Sequence, residues 1–128
     1  AIFGEKDYQQ FLVIKQMAVQ QKTRWNNVQI IGAPNIHDDD GLAMSSRNVF
    51  LSTDQRSQAL AIHRALKEPT EQKMEEMLDQ HGLDVEDDGI RDESTLLDPN
   101  NNDPKRALIA VKVGDVRLID NCKREQVL

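Results

Sequence analysis

The chain has 128 residues and a net charge of −6 at pH 7, with 38% hydrophobic and 30% charged residues, as in globular domains. This acidic balance argues against a nucleic-acid-binding protein, which needs a basic surface. No apolar run is long enough to cross a bilayer or to serve as a signal peptide, and one cysteine cannot form an internal disulfide. We therefore expect a cytoplasmic protein of one domain or two small lobes that binds neither nucleic acid nor membranes.

The first third of the chain predicts a βαβ unit. Residues 1–4 form an apolar run that ends at a glycine and is typical of the end of a buried strand. Too little chain precedes this strand to supply its neighbours in a sheet, so we expect the natural protein to begin upstream. Apolar side chains at helical spacing over residues 7–21 predict a helix, with Asp7 as N-cap and Gln10 completing a capping box. A second apolar run, residues 28–32, predicts a buried strand parallel to the first.

The middle of the chain predicts two helices. An irregular polar segment, residues 35–48, precedes them. Ser52 and Gln55 form a capping box at the start of the first helix, and Thr70 begins the second, which Gly82 ends. Apolar residues recur at helical spacing in both, which indicates that both helices pack against a core.

The last third predicts an antiparallel hairpin. The acidic stretch 84–92 is interpreted as a solvated loop, because runs of like charge usually stay in water. Residues 107–113 and 116–120 are rich in β-branched side chains and flank a Gly-Asp pair, which predicts a hairpin with a type II′ turn. The chain thus divides into an α/β part and a part with helices on an antiparallel sheet.

Histidine and cysteine side chains give no sign of a metal site or a nucleophile. His63 and His81 lie on or near the predicted helices without ligand-like partners in the sequence, and Cys122 lies near the C-terminus without one. We therefore expect structural roles for all three and predict no metal ligands.

The segment FGEKDYQQ, residues 3–10, lies where the first strand gives way to the helix. In open α/β sheets, ligands bind at the carboxyl ends of strands, and a helix start offers free backbone N–H groups to a phosphate or carboxylate. Lys6 adds a cation that can stabilise a reacting phosphoryl group. The same residues also fit a simpler interpretation in which Lys6 is a solvated lysine and Gln10 only caps the helix.

The segment GLAMSSRN, residues 41–48, combines two hydroxyls with a guanidinium after a glycine. Ser45 and Ser46 can bind phosphate oxygens through their hydroxyls and backbone N–H groups, and Arg47 can bind them bidentately. An ordinary serine-rich turn before a helix has the same composition, so this segment alone is a weak signal.

Together, the two segments closely resemble the pantothenate synthetase family, which shares the nucleotidyltransferase superfamily with class I aminoacyl-tRNA synthetases. The matching order is FGEKDYQQ, a strand, GAP and DGLAMSSRN, and IRD at residues 90–92 and RLIDN at residues 117–121 also match. The resemblance implies that residues 1–52 end a Rossmann-like nucleotide-binding domain with a parallel sheet. It also implies that residues 53–128 form a small C-terminal α+β lid.

The resemblance further implies a two-step ligation. Pantoate attacks the α-phosphate of ATP bound to Mg²⁺, which gives pantoyl adenylate and pyrophosphate, and β-alanine then displaces AMP to give pantothenate. Members of this family are expected to be homodimers. An in-line displacement mainly needs positioning and charge stabilisation, which lysine, hydroxyls and arginine can supply.

The resemblance assigns roles to residues of both segments and of the loop between them. The expected ATP contacts are Gly4, Glu5, Lys6, Asp7, Ile36, Met44, Ser45, Ser46 and Arg47. Among them, Ile36 is expected to contact the adenine through its backbone. The residues expected to act in catalysis are Lys6, Ser45, Ser46 and Arg47. Gln10 matches a pantoate-binding glutamine.

Three features depart from the family pattern. His37-Asp38 stands where the family usually has Arg-Glu, which removes a fixed cation beside the nucleotide. Residues 23–27 are expected to form a slightly longer surface turn. The family's His-x-Gly-His signature belongs to an N-terminal half outside these residues, so we expect the isolated chain to be inactive.

Two other interpretations stay open. The chain could be a non-catalytic lobe that binds phosphate weakly or binds nothing, or it could come from another adenylate-forming enzyme of the superfamily. Gln10, next to the FGEKD segment, argues against the second alternative, because that glutamine belongs to pantoate recognition.

Overall fold

The computed structural model describes residues 1–21, 28–99 and 104–124. The chain divides into two compact units, Ala1–Asn35 and Ile36–Leu128. Residues 36–52, which the resemblance assigns to the nucleotide-binding domain, group with the second unit, and the domain assignment itself stays a prediction. Among the described residues, no helix is both long enough and apolar enough to span a membrane. The turn predicted at residues 23–27 lies outside them.

The first unit contains a pair of parallel strands and one helix. Strand β1 (Ile2–Gly4) pairs in parallel with strand β2 (Ile31–Ala33), and helix α1 (Tyr8–Gln20) lies between them in the chain. Asp7 caps the helix, because its carboxylate accepts a hydrogen bond of 3.2 Å from the backbone N–H of Gln10. The predicted strand, helix and parallel strand are therefore confirmed.

The second strand differs from the prediction in position and in burial. We predicted a buried strand at residues 28–32, whereas β2 spans Ile31–Ala33 and Ile31 is 45% exposed. The ladder pairs Ile2 with Ile31, Phe3 with Gly32 and Gly4 with Ala33. The apolar run before them, which starts at Val28, has no regular structure.

The second unit packs two helices on a three-stranded antiparallel sheet. Its helices are α2 (Thr53–Ala65) and α3 (Glu71–Gln80), and its strands are β3 (Asp84–Asp92), β4 (Lys105–Val113) and β5 (Val116–Arg124). The strand order is β3-β4-β5, so β4 is central. Helix α2 contacts β4 and helix α3 contacts β3. The predicted α+β lobe is confirmed.

The core of this unit is built from apolar side chains of both helices and the sheet. The largest completely buried side chains are Leu66, Met74, Leu78 and Val111. Each such side chain contributes roughly 1.5–3 kcal/mol to folding by leaving water. The helical spacing of the apolar residues therefore predicted the buried face correctly.

The local signals at the element ends are confirmed, except that Gln10 does not complete a capping box at α1, where only the bond to the Asp7 carboxylate forms. Ser52 and Gln55 form both hydrogen bonds of the capping box, at 3.1 and 2.9 Å. The hydroxyl of Thr70 caps α3. Gly82 and Gly114 have φ angles of +71° and +60°, which side chains with a Cβ rarely adopt. Gly114 opens the two-residue turn between β4 and β5, as the type II′ prediction requires.

Our interpretation of the acidic stretch 84–92 as a solvated loop is wrong, because this stretch forms the strand β3. This strand pairs with β4 along its length, with a bulge between Val85 and Asp87. Val85 and Ile90 pack against the core, while several acidic side chains point to solvent. Among the described residues, β3 pairs with β4 alone and is therefore an edge strand. Charge on an edge strand discourages pairing with another chain.

Two residues that were expected to have structural roles do so. Cys122 packs against the core, and burial raises the pKa of its thiol, which keeps it protonated and a poor nucleophile. The ring Nδ1–H of His81 donates a 2.8 Å hydrogen bond to the carbonyl oxygen of Met77 in the last turn of α3.

The pair of Asp88 on β3 and Glu75 on α3 predicts a pH-dependent stability. Burial, and then the neighbouring Glu75, raise the pKa of Asp88 to about 6 from its usual 3.8. The folded chain therefore binds this proton more tightly than the unfolded chain, and stability falls as pH rises between about 4 and 6. Asp88→Asn is expected to raise the free energy of unfolding by about 1 kcal/mol at pH 8, after allowing for solvent screening, and to change little at pH 4.

Urea unfolding at the two pH values measures this difference. Asp84→Asn, at an exposed position on the same strand, is the matched control and is expected to show no such pH dependence. Equal effects of Asp88→Asn at pH 4 and pH 8 would contradict the prediction.

Candidate active-site segments

The FGEKD segment joins the end of β1 to the first turn of α1. Its path is fixed at one end because the backbone N–H of Glu5 donates a 2.8 Å hydrogen bond to the carbonyl oxygen of Ala33, which continues the pairing with β2. It is fixed at the other end by the Asp7 cap. The side chain of Glu5 lies against Gly32, where a Cβ would come within 2.7 Å of the Phe11 ring. Gly32 is therefore required for this close approach.

The side chains predicted to bind ligands in this segment are accessible. Gly4, Asp7 and Gln10 are exposed, whereas Glu5 and Lys6 are half-buried. Because the Asp7 carboxylate accepts from the backbone N–H of Gln10, the cap occupies one N–H of the first helical turn and leaves the amide side chain of Gln10 in solvent. The segment can thus present an ammonium group and an amide at the start of one helix.

The SSRN segment, residues 45–48, begins a short 3₁₀ helix. The helix spans Ser46–Phe50, and Ser45 is its N-cap. The hydroxyl oxygen of Ser45 accepts a 3.1 Å hydrogen bond from the backbone N–H of Arg47. The side-chain amide of Asn48 donates a 3.0 Å hydrogen bond to the carbonyl oxygen of Ala43, which ties the turn to the preceding loop. Ser46 and Arg47 are both exposed.

Arg47 extends towards the turn of the β4–β5 hairpin. Its guanidinium donates a 3.4 Å hydrogen bond to the carbonyl oxygen of Arg117, and both arginines line a groove of about 780 Å³. Arg117 also pairs with Glu86 at 3.0 Å. Two guanidinium groups in one groove can hold an anion with several oxygens. The sequence analysis assigned no role to the Arg117 side chain, because it lies 70 residues from Arg47 in the chain.

A compact loop brings together Ile36 and Met44, two of the residues that were expected to contact ATP. The backbone N–H of Met44 donates a 2.9 Å hydrogen bond to the carbonyl oxygen of Ile36, and His37 and Ala43 form an isolated β-bridge inside that pair. The side chains of Ile36 and Met44 are 70% and 52% exposed. Two large apolar side chains on one surface are suited to contact with a flat, apolar ligand face.

The acidic run in this loop is held by a cation that the sequence analysis did not identify. Arg56 on α2 contacts the carboxylate of Asp38 at 2.9 Å and that of Asp40 at 3.1 Å. The backbone N–H of Leu42, and also Arg56, hold the pKa of the Asp40 carboxyl below its usual value. These contacts fix the loop that leads into the SSRN segment.

Three side chains, one of which belongs to this loop, meet in a cluster, and the position of His63 differs from our expectation. We expected His63 to lack ligand-like partners, but its ring lies 4.7 Å from that of His37, and Asp120 lies beside both. Burial, and then the nearby charge of His37, lower the pKa of His63, which favours its neutral form. No spacing pattern could have revealed this cluster, because its members belong to a loop, a helix and a strand that only tertiary packing brings together.

The predicted site residues therefore form two groups. Gly4, Glu5, Lys6, Asp7 and Gln10 lie together in the first unit. Ile36, Met44, Ser45, Ser46 and Arg47 lie together in the second unit. That the two groups join in one ATP site stays a prediction.

Known proteins match the chain over nearly its whole length. The family model described as Pantoate-beta-alanine ligase matches residues 1–123. The pantothenate synthetase of Bradyrhizobium sp. (strain BTAi1) is 42% identical over 135 aligned residues, which cover 94% of this chain and 47% of the relative. That of Stenotrophomonas maltophilia (strain R551-3) is 41% identical, with the same two shares.

Solved structures agree in fold. The crystal structure of pantothenate synthetase from Thermus thermophilus superposes with a TM-score of 0.85 at 34% identity, over 96% of this chain and 49% of that chain. Pantoate-beta-alanine ligase from Francisella tularensis, complexed with beta-gamma ATP and beta-alanine, gives a TM-score of 0.70 at 30% identity, over 95% of this chain and 42% of that chain. The chain thus spans about half the length of the relatives it matches. Because the family model covers residues 1–123, the chain belongs to the pantoate-β-alanine ligase family.

Proposed function

We propose that this chain supplies part of the active site of an ATP-dependent ligase that condenses pantoate with β-alanine through a pantoyl adenylate. We also propose that the chain is inactive by itself. The observation that carries both proposals is the family match over residues 1–123, to relatives about twice as long. The Francisella tularensis neighbour is complexed with beta-gamma ATP and beta-alanine, which supports these two molecules as ligands here.

The FGEKD segment is proposed to bind ATP and to act on the reacting phosphate. Lys6 is held at the junction of β1 and α1 by the ordered segment around it. An ammonium group there can stabilise the charge that grows on the phosphate oxygens as pyrophosphate leaves. Gln10 is proposed to bind pantoate through its exposed side-chain amide.

The SSRN segment is proposed to bind the phosphates from the second unit. The hydroxyls of Ser45 and Ser46 can donate to phosphate oxygens, and Arg47 can bind two of them at once. Ile36 and Met44 are proposed to contact the adenine. Their adjacent positions, fixed by a backbone hydrogen bond, support a common ligand.

The remaining features of the enzyme are also proposals. Mg²⁺ would accompany the ATP phosphates, since it is commonly bound through substrate phosphates and water. The complete enzyme is proposed to be a cytoplasmic homodimer whose substrates are small molecules.

Two proteins test the proposal. One is the 128-residue chain, and the other is a chimera in which this chain replaces the matching half of the Bradyrhizobium relative. Pyrophosphate release is measured with pantoate, β-alanine and Mg²⁺-ATP, and again with each omitted. We expect the chimera to release pyrophosphate only when pantoate is present, and the chain alone to release none. Turnover by the chain alone would contradict its incompleteness, and a folded chimera without turnover would contradict the assigned activity.

Gln10→Ala separates pantoate binding from helix capping. The variant removes the amide but keeps the backbone N–H that Asp7 caps, so the stability of the helix is preserved. In the chimera we expect the KM for pantoate to rise roughly 10-fold, with the KM for ATP nearly unchanged, because loss of one buried hydrogen bond to a ligand costs about 1–1.5 kcal/mol. Steady-state kinetics with one substrate varied at a time measure both constants.

Gln9→Ala is the matched control for this prediction. Gln9 is the neighbouring exposed glutamine on α1, with no proposed ligand. If both variants change the KM for pantoate equally, or if Gln10→Ala lowers only the melting temperature, Gln10 does not bind pantoate.

A further inference from the structure

Two histidines and an aspartate converge on one point in the second unit. One ring nitrogen each from His37 and His63 and one carboxylate oxygen of Asp120 all lie within 4.8 Å of one another. Nε2 of His37 lies 2.8 Å from Oδ2 of Asp120. These residues come from the loop before the SSRN segment, from α2 and from β5. Three elements thus contribute one potential metal ligand each.

The ring of His63 is held in place without a full set of hydrogen bonds. Its Nδ1 atom is buried and has no hydrogen-bond partner among the described residues. Most buried polar atoms in folded proteins are paired, so an unpaired ring nitrogen beside a histidine and a carboxylate indicates a site for a further group.

The backbone around the cluster fixes its ligands. Gly41, with a φ angle of +93°, lies so close to His63 that a Cβ would be 3.3 Å from the ring. The other carboxylate oxygen of Asp120 accepts a 2.8 Å hydrogen bond from the backbone N–H of Asn121. The side chain of Asp120 is 2% exposed, so its carboxylate is shielded from water. Such supporting contacts orient the ligands of metal sites in proteins.

We propose that His37, His63 and Asp120 bind a divalent transition-metal ion of the Zn²⁺ class. Two imidazoles and one carboxylate are typical Zn²⁺ ligands, whereas Mg²⁺ and Ca²⁺ require oxygen ligands. The ion would take the place of the direct hydrogen bond between His37 and Asp120. Ligand atoms around a tetrahedral Zn²⁺ lie about 3.4 Å apart, given bonds of about 2.0–2.1 Å. Binding would therefore lengthen the 2.8 Å distance between Nε2 of His37 and Oδ2 of Asp120, and would bring closer any two ligand atoms of the cluster that now lie farther apart, up to 4.8 Å. Three protein ligands leave the fourth position to water.

The ion would link the loop that leads into the SSRN segment to the core of the second unit. His37 belongs to this loop, whereas His63 and Asp120 belong to a helix and a strand that carry the core. Metal binding would therefore restrict the loop that ends at Ser45. Binding itself depends only on these three side chains, so its test is separate from that of the ligase activity.

The test uses the untagged 128-residue chain, because an affinity tag of histidines binds metal itself. Isothermal titration measures the affinity and stoichiometry for Zn²⁺, and visible absorption on addition of Co²⁺ reports nitrogen and oxygen ligation. We expect one Zn²⁺ per chain, a four-coordinate Co²⁺ spectrum, and a melting temperature that Zn²⁺ raises. His37→Arg and His63→Gln are each expected to weaken Zn²⁺ binding at least about 100-fold, since loss of a supporting contact alone costs about 10- to 100-fold.

His81→Gln is the matched control, since His81 is the remaining histidine and lies outside the cluster. It is expected to bind Zn²⁺ as the parent chain does. The guanidinium that His37→Arg introduces can pair with Asp120. Circular dichroism checks that each variant is folded. Absence of Zn²⁺ binding to the parent chain would overturn the proposal, and the cluster would then be a hydrogen-bonded pair of His37 and Asp120 with the ring of His63 packed against His37. Equal affinities in the parent chain and in folded His37→Arg or His63→Gln, or equal loss in His81→Gln, would overturn it as well.

Discussion

Lys6→Ala in the chimera is expected to slow formation of pantoyl adenylate at least about 100-fold, with little change in the affinity for ATP or pantoate. A 100-fold loss corresponds to about 2.7 kcal/mol of transition-state stabilisation. The reason is that negative charge on the leaving pyrophosphate grows during the reaction, so a cation beside it is worth most in the transition state. Single-turnover measurement of pyrophosphate release, at saturating substrates, isolates this step.

Lys73→Ala is the control for Lys6→Ala. Lys73 is exposed on α3, where alanine is an equally good helix former, and no ligand is proposed for it. The melting temperatures of both variants are compared with that of the chimera. If Lys6→Ala forms the adenylate at the parent rate, or loses only stability, then Lys6 is a structural or solvated lysine and our assignment of the site is wrong.

Leu78→Ala is expected to lower the free energy of unfolding of the chain by about 2–5 kcal/mol. Leu78 is completely buried in the core of the second unit, where α3 packs on the sheet. Its truncation removes apolar contacts and leaves a cavity that the close-packed neighbours fill only in part. Urea unfolding followed by circular dichroism measures the change, with the slope of the transition compared as well.

Leu97→Ala is the matched substitution at the surface, because Leu97 is 69% exposed. It is expected to change the stability by less than about 0.5 kcal/mol. The described packing of the helix on the sheet would be contradicted if Leu78→Ala lowered the free energy of unfolding by less than about 1 kcal/mol. It would also be contradicted if Leu97→Ala lowered this free energy as much as Leu78→Ala does.

The element ends were predictable from the sequence because each depends on residues a few positions apart. Asp7, Ser52 and Thr70 each accept a backbone hydrogen bond from the residue three positions later, so the pattern in the sequence is also the interaction in the structure. Gly82 and Gly114 were predicted for the same local reason, which is their freedom to adopt positive φ angles.

The strand β3 was not predictable in this way. Its acidic composition indicates a loop. The stretch forms a strand only because its backbone pairs with that of β4. The bounds of β2 were misplaced for a related reason, since they depend on which of its residues pair with β1. Strand pairing is nonlocal, and tertiary context overrides the local preference.

For the candidate site, the sequence by itself indicated which residues are expected to carry the chemistry, because the FGEKD and SSRN segments are each contiguous in the chain. Only the tertiary structure decided which distant side chains accompany them. Arg117 lies beside Arg47, Arg56 beside the acidic loop, and His63 beside His37 and Asp120. The physical reason is that these contacts join side chains from separate elements. Those elements are brought together by packing against a common core, and such packing leaves no local pattern in the sequence.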